Sequence, residues 1–310
     1  MRPTPQDVHV DAILSNISVM YKNNMYIGDA VAPLVSVEKQ SDKYYKFDKA
    51  DMFRSTAGIR APGSSSKRHG FTLSTDSYFC DEVSDATQLE TETLQNADAV
   101  LRMETTKINF ITDKILLKFE EDIAALCTTT SNWGSNYSTP VNLWDDYENS
   151  DFITDMEDAI EAIEGETGQD VNLIVLSYDV WKVLKHHPQL LERMSSNSVK
   201  TATLDLLASI IGVPKILIGK ALVNSANLGQ TATYSRLWTK DVFLGHVAPA
   251  PGLETPTALY TFVWPEEGQI RGVRTWREEG IHSDIYEAFM RYDAKVVGSD
   301  LGYLLNNVIS

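Results

Sequence analysis

Cysteine is scarce here: Cys80 and Cys127 are the only two in 310 residues. They bracket a predicted long helix, which sets them tens of ångströms apart, whereas a disulfide needs Cα atoms within about 7 Å. That excludes an intrachain disulfide and predicts two buried thiols in a reducing compartment. Long apolar runs are also missing. None approaches the roughly 18 residues of a spanning helix, and Met1-Arg2-Pro3-Thr4-Pro5 has no apolar stretch behind it, so no signal peptide is predicted. The start at Met1 predicts that no long pro-segment has been removed. Positive charge is in the minority, 27 Lys and Arg against 43 Asp and Glu, for a net charge of −16. Such a balance keeps a protein soluble and disfavours adhesion to nucleic acid or anionic membrane.

Chemistry-bearing motifs are absent as well. Gly165-Glu166-Thr167-Gly168 lacks the spacing and the lysine of a phosphate cradle. There is no Gly-x-Ser-x-Gly elbow, and neither cysteine has a nearby histidine. His186-His187 points two imidazoles about 100° apart on a helix and precedes Pro188, so it reads as a surface helix end. The acid groups Asp145-Asp146, Glu120-Glu121-Asp122, Glu266-Glu267 and Glu278-Glu279 read as solvated faces. A glycosidase-type carboxylate pair is set in three dimensions and stays open. The sequons at Asn16 and Asn136 mean little without secretion. No enzyme, cofactor or metal is predicted.

What is present is architecture. The length allows one large domain or two modest ones, with ample core. Residues 87–126 carry Leu89, Ala97, Leu101, Ile108, Ile111, Ile115, Phe119, Ile123 and Leu126 at mostly helical spacing, without Gly or Pro. Thr87 with Glu90 predicts a capping box, and Thr128-Thr129-Thr130 a stop. The result is a rod on the order of 60 Å. Stepping by sevens from Ala86 meets Thr93, Lys107 and Lys114, so this is no coiled coil. A narrow apolar stripe on so long a helix must lie across a broad surface such as a sheet.

Ahead of it, residues 1–34 read as an extended arm with one short helix. Val8 and Val10 alternate, and Ile13, Leu14, Ile17 and Met20 form a small apolar face. Residues 35–80 read as a long hairpin, with Val35 and Val37, then 44–47, as the outgoing strand and Phe71, Leu73 and Thr75 on the return. Its tip, 54–69, holds Arg54, Arg60, Lys67 and Arg68 and no acid. Within 81–104 stand seven acids, among them Glu90, Glu92 and Asp98, against the single base Arg102. The expectation is that the tip docks on this acidic spine surface of a neighbour; a plain solvated loop is the alternative. After the helix, 131–150 is a polar linker with Trp133 and Trp144. An α/β pattern follows, with helices at 152–163, 178–193 and 204–211 and strands at 171–176 and 215–218. Strands are then predicted at 237–238, 242–244, 258–264, 270–276, 283–297 and 303–309, the last two joined by a turn at Gly298-Ser299-Asp300.

In this order the chain resembles the major capsid proteins of tailed bacteriophages, with their Hong Kong 97-type fold. Familial strings are Asp11 to Tyr21 (DAILSNISVMY), VAPLVSV from Val31 and DKYYKF from Asp42. Further on stand Leu143-Trp144-Asp145-Asp146, VWKVLKHHP from Val180, IGVPKI from Ile211 and GKALV from Gly219. The resemblance implies an α+β fold with an N-terminal arm (1–36), a long E-loop hairpin (37–84) and a peripheral P-domain with the spine helix (85–150). An axial A-domain (151–262) and returning strands (263–310) complete it. It implies pentamers and hexamers in an icosahedral shell around double-stranded DNA, a virion component assembled in the host cytoplasm, with no membrane. Arm residues Val8, Val10, Ile13 and Ile17 would touch a neighbour. A separate scaffold protein and a possible decoration protein are implied partners, with DNA touched non-specifically if at all. Some relatives crosslink an E-loop lysine to a neighbour's asparagine; Lys67 with Asn306 or Asn307 are the positions here. The alternatives are an encapsulin-like nanocompartment shell and, from another class, a soluble α/β hydrolase.

Overall fold

Strand alternation governs residues 81–90. The computed structural model describes residues 23–310 except 24, 97–102, 194–201, 228, 253–254 and 267. After α1 (Gly28–Val31) and β1 (Leu34–Ser36) come the hairpin strand β2 (Ser41–Phe47), α2 (Lys49–Met52) and the return strand β3 (Leu73–Phe79). β4 (Asp81–Glu90) and α3 (Thr91–Asn96) precede the spine helix α4 (Met103–Thr128). Next are β5 (Tyr137–Ser138), α5 (Phe152–Thr167), β6 (Leu173–Ser177), α6 (Tyr178–Leu184), α7 (Pro188–Glu192), α8 (Leu204–Ile211) and β7 (Lys215–Gly219). β8 (Leu222–Asn224), β9 (Tyr234–Arg236), β10 (Val242–Gly245), β11 (Leu259–Val263), β12 (Arg271–Glu278), β13 (Ser283–Val296) and β14 (Gly302–Leu305) complete the chain.

The spine helix therefore begins later than the sequence predicts, and Thr87 with Glu90 forms no helix cap: both lie in β4, paired to Tyr286 and Ser283 of β13. Val83, Asp85, Thr87 and Leu89 share the strand face turned to the spine, which Lys114 confirms by reaching Asp85 at 3.2 Å. The predicted stop holds, with a physical cause. The last carbonyls of a helix lack intrahelical donors. Here Thr128 Oγ1 bonds Ala124 O, Thr129 Oγ1 bonds Ala125 O, Asn132 Nδ2 bonds Leu126 O and Trp133 Nε1 bonds Cys127 O, at 2.6–3.0 Å.

The 26 residues of α4 lie across a five-stranded sheet. β13, at 14 residues, is its centre: β12 and β11 follow end to end along one side, and β4 runs along the other. Tyr286, Ala288, Met290 and Tyr292 face the spine and pack with Ile111, Ile115, Phe119 and Ile123. β1 joins β11 in this sheet, so Val35 belongs there and not to the hairpin as predicted. The second sheet, in the order β5-β14-β10-β6-β7, is buried on both faces. Leu173, Val175, Phe243 and Leu304 look towards the spine cluster; Ile174, Leu176, Val242, Leu244 and Leu305 look towards α5 and α8. Two-sided burial explains the unbroken apolar runs of these strands. The turn at Gly298–Asp300 is no hairpin, because β13 and β14 belong to different sheets and a 3-10 turn, Ser299–Leu301, carries the chain across. Leu237 and Trp238 lie beyond β9, and the Trp238 side chain is buried in the spine core. Both cysteines are free and buried, as expected.

Candidate assembly surfaces

The hairpin β2–β3 is rooted by its inner face. Tyr78 stacks on Phe262 with centroids 4.7 Å apart, Tyr44 lies 5.1 Å from the same ring, and Asp293 Oδ2 accepts from Phe79 N–H at 2.9 Å. Alternation then sends Tyr45, Phe47 and Leu73 to the opposite face, where all three are exposed; Ile59 of the tip and Phe53 and Phe71 beside it are exposed as well. Arg54, Arg60, Lys67 and Arg68 are exposed in the same loop, and Arg60 Nη1 donates to Ser64 O at 2.7 Å. A hairpin that leaves this many large apolar side chains exposed is an extended contact surface.

The acidic complement differs from the expectation. Glu90 ends β4 and accepts from Gln88 Nε2 at 2.8 Å, and Asp85 is paired with Lys114, while Asp81, Glu82, Glu92 and Glu104 are exposed, Glu92 on α3. Asp98 lies outside the described residues, as do Val8, Val10, Ile13 and Ile17. Glu82 is also taken: it faces away from the spine and joins a cluster across β4, β12 and β13. Arg274 bonds Glu82 at 2.9 Å, Glu287 at 3.2 Å and also Glu266, while Arg291 bonds Glu82 at 2.6 Å and Glu266 at 2.7 Å. The guanidinium of Arg274 lies 3.9 Å from the centre of the Phe289 ring and that of Arg291 4.6 Å from the Trp264 ring. The hydrogen bond from Arg274 holds the Glu82 carboxyl down at about 2, with Arg291 adding to the effect. A depressed acid contributes stability that is complete above its unfolded value and fades as pH falls through the folded one. Acid unfolding between pH 4.5 and about 2 is therefore expected to be less steep in Glu82→Gln, measured by denaturant melts across that range.

Two residues read from sequence as surface groups are buried. His187 is fully buried, with Nε2 3.0 Å from Ser150 Oγ and rings of Phe152 and Tyr147 packed edge-on. Its Nδ1 accepts from Gln189 N–H at 3.3 Å, so the neutral ring carries its proton on Nε2 and donates to Ser150. This arrangement caps α7 and cannot draw a proton from the serine; burial pushes the imidazole below its ordinary range. Glu120 is the larger surprise. Its Oε2 accepts from Ile27 N–H at 2.9 Å and Gly28 N–H at 2.7 Å, and its Oε1 from Trp238 Nε1 at 2.7 Å. One carboxylate thus joins the base of the N-terminal segment, the spine and the β9–β10 connection. Gly28 is needed there, because a Cβ would meet the Phe119 ring at 2.9 Å and Glu120 Oε2 at 3.0 Å. The sequence carried a signal: Glu120 falls three residues before Ile123 and seven before Cys127, on the apolar stripe. Among the described residues no group of three His, Cys, Asp or Glu is placed to hold a metal, and no helix is long and apolar enough to cross a membrane.

No protein-family model matches the chain. Its relatives include the major capsid protein of Burkholderia phage BcepMu, 26% identical over 317 residues that cover 96% of each chain. Among solved structures, a phage-related protein from Bordetella bronchiseptica superposes with a TM-score of 0.73 at 26% identity, over 96% of this chain and 97% of that one. The capsid of cyanophage P-SCSP1u superposes with a TM-score of 0.62 at 10% identity, over 97% and 93%. Sheet-borne spine, rooted hairpin and double-faced second sheet together make this the α+β, Hong Kong 97-type capsid fold. In sequence as in fold it is similar to the major capsid proteins of phages.

Proposed function

We propose that copies of this chain tile a closed icosahedral shell of pentamers and hexamers around packaged double-stranded phage DNA. In this reading 1–36 is the arm, 37–84 the E-loop, 85–150 the peripheral domain with the spine and 151–262 the axial domain, while 263–310 returns strands to both, β12 and β13 to the spine sheet and β14 to the second sheet. The observation that carries it is the hairpin, which leaves Tyr45, Phe47, Phe53, Ile59, Phe71 and Leu73 exposed beyond any core of its own. A neighbouring subunit buries them, with Arg54, Arg60, Lys67 and Arg68 setting register on an acidic surface that includes Glu92. The net charge of −16 suits a container that holds DNA without binding it tightly. Shells form in the host cytoplasm on a separate scaffold protein, and a decoration protein is a further partner.

Electron microscopy and light scattering of the purified chain, with scaffold supplied, test this: closed shells or capsomers are expected, and a discrete monomer or dimer at high concentration overturns it. The arm has its own test. Asn23 bonds Leu222, Tyr26 bonds Asp113, and Ile27 and Val31 are buried, so the cut must fall before residue 23. Deleting 1–22 is expected to preserve the cooperative melt and abolish closed shells. Loss of the melt would place Val8, Val10, Ile13 and Ile17 in the subunit's own core.

A further inference from the structure

The hairpin touches its own body at a second place, well away from its root. Lys49, the first residue of α2, sets Nζ 2.8 Å from an Asp300 oxygen and 3.9 Å from a Glu166 oxygen. The Phe53 ring, one position past α2, lies at Gly168, where an added Cβ would meet it at 3.8 Å. Asp300 belongs to the 3-10 turn between β13 and β14, whereas Glu166 and Gly168 form the C-terminal end of α5. Two separate pieces of the body thus hold the outer half of the hairpin.

The chemistry of that seat suits a cation. A helix C-terminus carries partial negative charge from its last carbonyls. α5 adds Glu157, Asp158, Glu161, Glu164 and Glu166 on its exposed face and contains no base. Like charges three and four apart weaken a helix, and acids in the last turn oppose its dipole. Lys49 relieves both conflicts from outside the helix.

We propose that this contact is a latch within one subunit: the free chain parks its hairpin against α5, and assembly requires the hairpin to leave that seat for a neighbouring copy. The proposal rests on reading the hairpin as the arm that reaches between subunits. The seat is built to release. Its ion pairs are exposed, with Lys49, Glu166 and Asp300 side chains 43%, 48% and 34% accessible, and such pairs together favour the parked state by about thirty-fold at most. Salt that shortens the Debye length to about 3 Å at 1 M removes most of that bias.

The test uses the full-length unassembled chain and two readouts: backbone hydrogen exchange across residues 49–53, and the threshold concentration for assembly with scaffold present. Lys49→Glu is expected to speed exchange about ten-fold and to lower the threshold. Adding Asp300→Lys and Glu166→Lys should restore both. Unchanged exchange in Lys49→Glu would show that no latch exists. Faster exchange with an unchanged or higher threshold would show a resting contact without control over assembly, and that also overturns the proposal. Failure of the underlying reading is separable: a charge-reversed tip would then assemble normally while Lys49→Glu still loosened the hairpin.

Discussion

Glu120→Ala is expected to lower unfolding free energy by on the order of 3 kcal/mol, a large loss for one side chain. Three buried N–H groups, of Ile27, Gly28 and Trp238, lose their acceptor together, and each unsatisfied donor costs about 1–3 kcal/mol before water enters the space left behind. Glu120→Gln separates charge from shape. Its carbonyl oxygen can keep Ile27 and Gly28, but its amide then faces the Trp238 N–H donor to donor. Trp238→Phe removes a stranded donor in either background, so it should recover part of the loss in both, and more in the Gln variant, where it also relieves the donor-to-donor contact. Chemical denaturation of the four proteins measures both effects, and equal stability of Glu120→Ala and the parent would remove the junction from the account.

The same residue gives a pH signature opposite to that of Glu82. Burial raises the Glu120 carboxyl above its ordinary range, and the three hydrogen bonds oppose that rise without cancelling it. The native state then holds a proton that the unfolded chain has released, so stability falls as pH rises from 4.5 through the folded value. Glu120→Gln should flatten that segment of the curve, while Glu82→Gln flattens only the segment below it.

Arg60→Glu with Arg68→Glu is expected to block shell assembly at low salt without altering the subunit's melt. Each exposed pair is worth only about 0–1 kcal/mol, but a closed shell repeats it at every subunit, and its main effect is on encounter and register. Arg60 also donates to Ser64 within the loop, so Arg60→Ala with Arg68→Ala is the control that loses this bond without reversing charge. It should assemble more slowly, not fail. Glu92→Lys, on exposed α3, should partly rescue the reversed tip; reversing Glu90 should do less, because Glu90 is tied to Gln88 and Thr93. Yield is read by light scattering against salt, where the difference narrows as the Debye length falls. Normal assembly of the reversed tip at every salt concentration would make it a solvated loop.

Local pattern determined much of this protein. The stripe from Ile108 through Ile123 and the threonine run that ends it specify the body of the spine and its end near 128, though not its start, since helical spacing and donor-poor helix ends are properties of short segments. Apolar runs at 173–176 and 242–244 specify strands buried on both faces. The basic, acid-free tip is visible as composition alone. Tertiary structure decided the rest. Leu89 satisfies a helical count and a strand alternation equally well, and only pairing with the long β13 makes 81–90 a strand. Gly298–Asp300 looks like a turn between partners until two different sheets claim its flanks. Glu120, Glu121 and Asp122 are chemically alike in sequence; packing of the N-terminal segment and Trp238 on one side of the spine buries the first and leaves Asp122 to accept from Tyr292. Stripe position marks the inward side of the helix, but which groups meet Glu120 there depends on residues that arrive from distant parts of the chain.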